Sequence, residues 1–159
     1  MIQAIREAGF TAYIETKASQ INTHATSTQI RHLMKFTNDL DGAVFYAYAS
    51  TENIYDRYTS LRFQYNIAPN VYSGKLNLIP AGYFKYEVYE VTWIGAVVVG
   101  LGTAPKNENE VLPVFPSNGV VEGLVAIGKL YLAEKAGSEE VQYTEYEATA
   151  STNTIYYGQ

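Results

Sequence analysis

The stretch from Ile30 to Ser50, IRHLMKFTNDLDGAVFYAYAS, decides the fold. Ile30, His32, Met34 and Phe36 alternate with Arg31, Leu33, Lys35 and Thr37. A period of two places the first set on one face of a strand. Asn38-Asp39-Leu40-Asp41-Gly42 follows, and Asp-Gly between two such runs is a strong hairpin signal. Ala43 to Ser50 then returns as a second strand. Its aromatics Phe45, Tyr46 and Tyr48 fall on both faces, which predicts that both faces are covered.

Toward the C-terminus the pattern repeats. Thr51 to Tyr58 is a polar connection with some strand character. Thr59 to Tyr65 sets Leu61, Phe63 and Tyr65 against Ser60, Arg62 and Gln64. Val71 to Ile79 reads as a strand with Leu76 and Leu78 inward. Pro80-Ala81-Gly82 turns into the longest strand, Tyr83 to Trp93, with Glu87 and Glu90 on opposite faces because their spacing is odd. The apolar run Val91 to Ala104 reads as a buried strand with bends at Gly95, Gly100 and Gly102. Thr103 to Glu110 is a polar loop. Residues 111–121 contain Pro113 and Pro116 and so form an edge strand at most. Leu124 to Glu134 is a strand bent at Gly128, Glu139 to Glu147 another, and Thr154 to Gly158 a terminal one.

These elements make seven to nine short strands with regular turn signals, the pattern of a sandwich or barrel. The expected fold is all-β: a single immunoglobulin-like or related antiparallel β-sandwich. The turn Leu78-Ile79-Pro80-Ala81-Gly82 is similar to the corner between sheets in such domains, where a Tyr hydroxyl ties a strand to backbone. Residues 1–28 are poorly patterned and are expected to form an N-terminal arm or loop segment, with the sandwich domain spanning 29–159. Within that segment Ile2, Ile5 and Ala8 suggest a short helical face, and Phe10 to Glu15 a strand. Thr16 to Thr28 is a polar loop, or an arm that orders on a neighbour.

Composition agrees. The chain of 159 residues has 15 Tyr and only 17% charged residues, below the usual ~25%. Tyr, Thr and Val favour strands. Zero Cys excludes a disulfide scaffold, a thiol nucleophile and thiolate-held clusters. Two His, His24 and His32, argue against a structural zinc site. A net charge of −5 with no basic run argues against nucleic acid. The apolar stretch 91–104 is too short and Gly-rich to span a membrane, and residues 1–10 do not read as a secretory signal.

No catalytic motif stands out. His24 falls in a polar loop and reads as solvated. His32 reads as an ordinary packed or exposed strand residue. The carboxylates show no converging pair of the kind glycosidases need. Asn38, Asp39 and Asp41 could offer oxygen ligands to calcium, but they lack the full ligand ladder, and a plain turn is the better reading. The glycines match no phosphate-binding spacing. No catalytic residue, cofactor site or metal site is expected. The unusual signal is the tyrosine surplus, since Tyr joins apolar contact to a hydrogen-bonding tip and is enriched at interfaces. Tyr143, Tyr146, Tyr156 and Tyr157 are the candidate interface residues, with carbohydrate stacking as the competing use.

The segments AVFYAYASTENIYDRYTSLRFQY, LNLIPAGYFKYEVYEV, EEVQYTEYEA and TNTIYYGQ resemble small structural proteins of tailed bacteriophages, of the kind found in marine and crAss-like phages. The resemblance covers roughly residues 33–159 and brings no catalytic residues with it. It implies a non-enzymatic virion component, made in the host bacterial cytoplasm, that binds the capsid as an auxiliary or decoration protein. The implied partners are the major capsid protein and other virion proteins, with homo-oligomeric contacts on the particle and neither nucleic acid nor membrane. Two alternatives stand beside it. One is a neck, tail or fibre-attachment adaptor assembling as a ring or trimer. The other is a carbohydrate-binding module for host attachment.

Overall fold

The computed structural model describes residues 1–135 and 137. Among these residues nine strands form two facing sheets: β1 (Ile2–Ile5), β2 (Phe10–Ile14), β3 (Ile30–Asn38), β4 (Val44–Tyr48), β5 (Thr51–Ile54), β6 (Thr59–Tyr65), β7 (Lys75–Leu76), β8 (Gly82–Thr92) and β9 (Val120–Ala133). The first sheet runs β1-β9-β8-β3-β4 and the second β2-β6-β5, with β7 beside β6. The all-β sandwich expected from the alternation is the architecture observed. It is not purely antiparallel, because β1 pairs with β9 and β7 with β6 in parallel.

The inner faces supply the main core. Met34, Phe36, Phe84, Val88, Leu130 and Leu132 of the first sheet meet Ala12, Ile14, Leu61 and Phe63 of the second. Phe36 and Phe63 cross edge to face at 5.8 Å, a favoured aromatic geometry that staples the two sheets. Leu76 and Leu78 are buried as expected. The hairpin joining β3 to β4 closes on Asn38, whose Oδ1 accepts the N–H groups of Leu40 and Asp41, while Gly42 takes the left-handed conformation the turn requires. At the Pro80 corner the side-chain tie to backbone comes from Asn38 Nδ2, which donates to the Pro80 carbonyl. The buried Tyr hydroxyl that ties to backbone is Tyr48, donating to the Pro105 carbonyl at 2.6 Å.

Four sequence expectations are corrected. Residues 1–14 belong to the sandwich, so the chain does not divide at 28/29: β1 extends the first sheet and β2 pairs with β6. Ile2 and Ala4 face inward while Ile5 is exposed, which is strand alternation and not a helical face. Val91 to Ala104 is not a strand beyond Thr92. Its valines instead belong to a long irregular segment, 94–119, laid over the outer face of the first sheet. There Leu33, Tyr48, Val91, Trp93 and Ala104 form a second buried cluster, with Val97 and Val99 packed against it. That cover explains why Leu33 and Tyr48, on the face opposite Met34, are also buried. Finally, Val71–Ser73 forms a single 3-10 turn, and the strand that follows is only two residues long. Gly128 sits directly across from Tyr86, whose ring occupies the space a β-carbon would need. The expected strands at 139–147 and 154–158 lie outside the described residues.

Candidate interaction surfaces

Several polar side chains lie inside the sandwich or at its end. His32, on β3, shares its face with Met34 and Phe36 and is buried. Its Nδ1 lies 2.6 Å from Glu52 Oε1, and the second oxygen of Glu52 accepts the His32 backbone N–H at 3.1 Å. Glu90 stands opposite His32 on β8 and is also buried. Its two oxygens accept the backbone N–H groups of Ile21 and Asn22 at 3.0 and 2.8 Å. Glu122 accepts the Thr92 hydroxyl and the Asn22 side-chain amide. The Thr16 and Thr59 hydroxyls bond to each other at 2.7 Å.

Each of these groups is committed to holding structure. Glu52 joins the two sheets, and Glu90 with Glu122 pins the 15–29 loop across the end of the sandwich. Glu52 and Glu90 are buried with both oxygens hydrogen-bonded, as buried polar groups require. The cavity beside them, lined by Thr16, Lys17, Gln20, Ile30, His32, Ile54 and Glu90, holds about 10 Å³, room for roughly one water. Among the described residues no group of His, Asp and Glu is arranged to hold a metal ion. His24 is exposed, and Glu87 and Glu90 face opposite sides as their odd spacing dictates.

A second polar network fastens the long segment to the first sheet. Lys35 Nζ lies 2.6 Å from Glu108 Oε1 and 3.8 Å from Glu87 Oε2, and the Tyr46 hydroxyl donates to Glu108 Oε2 at 2.6 Å. Burial opposes ionisation of Glu108, but the hydrogen bonds from Lys35 and Tyr46 outweigh it and hold its carboxyl below the usual range. Hydrogen bonding to Glu108 pushes the Lys35 ammonium upward. Burial, with the Glu108 bond adding to it, pushes the Tyr46 hydroxyl up to about 12.

What this network holds in place is an apolar surface. On the segment 94–119, Leu101 is 86% exposed, Val111 91% and Val114 89%, with Ile94 and Phe115 also exposed. The chain between Val91 and Pro105, and again between Val111 and Val121, carries no charged residue. The segment is nevertheless braced. Gly95 N–H donates to Pro116 O at 3.0 Å, Gly119 N–H to Thr103 O at 2.7 Å, and the Trp93 indole N–H to Thr103 O at 3.2 Å. Gly119 lies so close to the Trp93 indole that a β-carbon there would sit 2.7 Å from the ring. A structureless connection of this length inside a compact domain is unusual and is commonly functional. Large side chains held outward on a braced backbone form a surface that water covers at a cost.

The second surface is the outer face of the β2-β6-β5 sheet. Tyr13, 68% exposed, meets Tyr58 edge to face at 5.7 Å, and Tyr58 meets Tyr55 at 5.0 Å. Of the eleven described tyrosines only Tyr48 is buried, while Tyr13, Tyr55, Tyr58, Tyr65 and Tyr83 are exposed. The sequence-based candidates Tyr143, Tyr146, Tyr156 and Tyr157 lie outside the described residues. The exposed apolar segment was missed because Val-rich sequence reads as buried strand. The signal that could have found it was the pairing of prolines, Pro113 and Pro116, with charge-free flanks.

No family model matches the chain, and neither a curated protein nor a solved structure matches it.

Proposed function

We propose that this chain is a non-enzymatic structural component of a virion, an auxiliary protein that decorates the phage capsid and reinforces contacts between its subunits. The observation that carries the reading is the braced segment 94–119, whose charge-free runs 94–105 and 111–119 present Ile94, Leu101, Val111, Val114 and Phe115 outward. Interface cores are depleted in charge and enriched in aromatic side chains. A backbone fixed before binding lowers the entropy lost on docking, so a small rigid patch can serve as an anchor. Commitment of His32, Glu52, Glu90 and Glu122 to structural bonds supports a role in assembly over one in catalysis. The resemblance of residues 33–159 to small phage structural proteins supplies the assembly.

The experiment is direct binding of the purified protein to expanded heads lacking it, followed by imaging. Decoration predicts copies in the hundreds on the head surface, with 94–119 facing the capsid subunits. About a dozen copies at one vertex would favour the neck or tail adaptor instead. Glycan binding lost on Tyr58→Ala, with no binding to heads, would favour the carbohydrate module.

A further inference from the structure

A cavity of about 350 Å³ opens at the end of the sandwich, where the 15–29 loop meets the two ends of the apolar segment. That volume falls within the roughly 300–1,000 Å³ of small-ligand sites. Trp93, Ile94 and Val120 supply its apolar wall. Ile94 is 72% exposed and Val120 53%, so the cavity continues into the surface presented by residues 94–119.

Most polar groups of the lining are already engaged. The Gln29 side chain donates to the Ile94 carbonyl and accepts the Thr26 N–H, and Asn22 Oδ1 accepts the His24 N–H. Glu122, half-buried on β9, is the only Asp, Glu, Lys or Arg in the lining. Its Oε1 takes two donors, the Thr92 hydroxyl at 2.5 Å and the Asn22 amide at 3.1 Å. Its Oε2 takes none among the described residues, and no cationic side chain there lies within ion-pair distance of it. The His24 ring, exposed beside the cavity, makes no bond to it.

A carboxylate with one oxygen open, set against an apolar wall, suits a cation on an apolar stem. The geometry also discriminates among cations. A guanidinium fork uses both carboxylate oxygens, and Oε1 already carries two donors. An ammonium is a point charge that needs only one oxygen.

We infer that this cavity binds an alkylammonium group, the lysine side chain of a partner protein, with its nitrogen on Glu122 Oε2 and its methylenes along Ile94 and Val120. Lysine stems cover apolar surface in this way while the charged head keeps a polar contact. The partner's identity rests on the proposed function: the lysine belongs to the capsid subunit on which segment 94–119 docks.

The test titrates the isotope-labelled full chain with n-butylammonium, and in parallel with n-propylguanidinium and neutral 1-butanol. Butylammonium is expected to give saturable shifts of the Ile94 and Val120 amides and the Trp93 indole N–H. The guanidinium should bind more weakly, and the alcohol about tenfold more weakly. Glu122→Gln keeps an acceptor for Thr92 and Asn22 but puts a donor in place of Oε2, so it should abolish the shifts while β3 and β8 resonances stay in place. The same variant should bind expanded heads about tenfold more weakly than the parent. Butanol binding as tightly as butylammonium on the parent overturns the inference, and this contrast decides it even where Glu122→Gln fails to fold. Tighter binding of propylguanidinium assigns arginine and overturns it too, as do shifts that survive Glu122→Gln. Head occupancy by Glu122→Gln equal to the parent's overturns the inference while the docking role of segment 94–119 stands. A parent that never occupies heads removes the proposed function, and the partner's lysine with it.

Discussion

His32 Nδ1 lies 2.6 Å from Glu52 Oε1, and both side chains are shut away from solvent between the two sheets. His32 comes from β3 of one sheet and Glu52 from β5 of the other. The pair is thus a polar bolt through an otherwise apolar interior. Truncating one partner leaves the other buried without its match, which costs far more than the intact pair contributes.

Glu52→Ala is therefore expected to lower the unfolding free energy by about 2–4 kcal/mol. Urea denaturation checks this as a fall in midpoint at constant slope. Replacing both partners, His32→Leu with Glu52→Leu, is expected to recover part of the loss, because the imidazole is no longer orphaned and only the residue 32 backbone N–H loses its acceptor. A double variant as weak as the single one would show that the pair itself, and not the orphaned group, carries the stability.

The Glu90 clamp gives a local prediction. Its two oxygens accept the Ile21 and Asn22 N–H groups. Glu90→Gln turns one acceptor into a donor facing a donor, a change worth about 1–3 kcal/mol at that site. Hydrogen exchange at Ile21 and Asn22 should accelerate tenfold or more, while the β3–β8 ladder stays protected. Uniform acceleration across the whole chain would place the effect on global stability and not on the loop.

The Glu108 network makes the apolar segment sensitive to acid. Its carboxyl titrates lower in the folded protein than the unfolded value of 4.5. The stabilisation is thus fully present above pH 4.5 and is lost as the pH falls from there through the folded value. Lys35 is raised above 10.5, so its contribution is present below that pH and lost only as alkali carries the pH through the folded value. Trp93 is the single Trp and donates to Thr103 within the braced segment, so its emission reports loosening there. A red shift is expected below pH 4.5. Glu108→Gln should show that shift already at neutral pH. An emission indifferent to both changes would contradict the bracing role.

Much of the sandwich was legible in the sequence. Alternation placed β3, β4, β6 and β8, because each presents one face to the main core. It also put His32 on the same face as Met34 and Phe36, though the alternation alone left it packed or exposed, and the structure buries it. Its partner was not: Glu52 reaches it only because the two sheets face each other, a relation that period-two spacing does not encode. β1 escaped because Ile2 and Ile5 sit three apart, a helical spacing, although only Ile2 turns inward. The 91–104 run misled for a different reason. Val97 and Val99 are partly buried against Trp93 without any ladder, and propensity measures fit to a half-buried surface, not pairing. The apolar surface was hidden by the same runs, since composition cannot tell a valine that packs inward from one, like Val98, that faces solvent.

In the proposed function, segment 94–119 docks the sandwich onto a larger assembly. Val111, Val114 and Phe115 are exposed and belong to neither buried cluster, so changing all three to Ser should leave the unfolding midpoint close to that of the parent. The most direct measurement is occupancy of this triple variant on expanded heads, counted beside the parent by imaging. The expected result is near-complete loss of occupancy by a variant that is still fully folded. Heads decorated by the variant as densely as by the parent would contradict it.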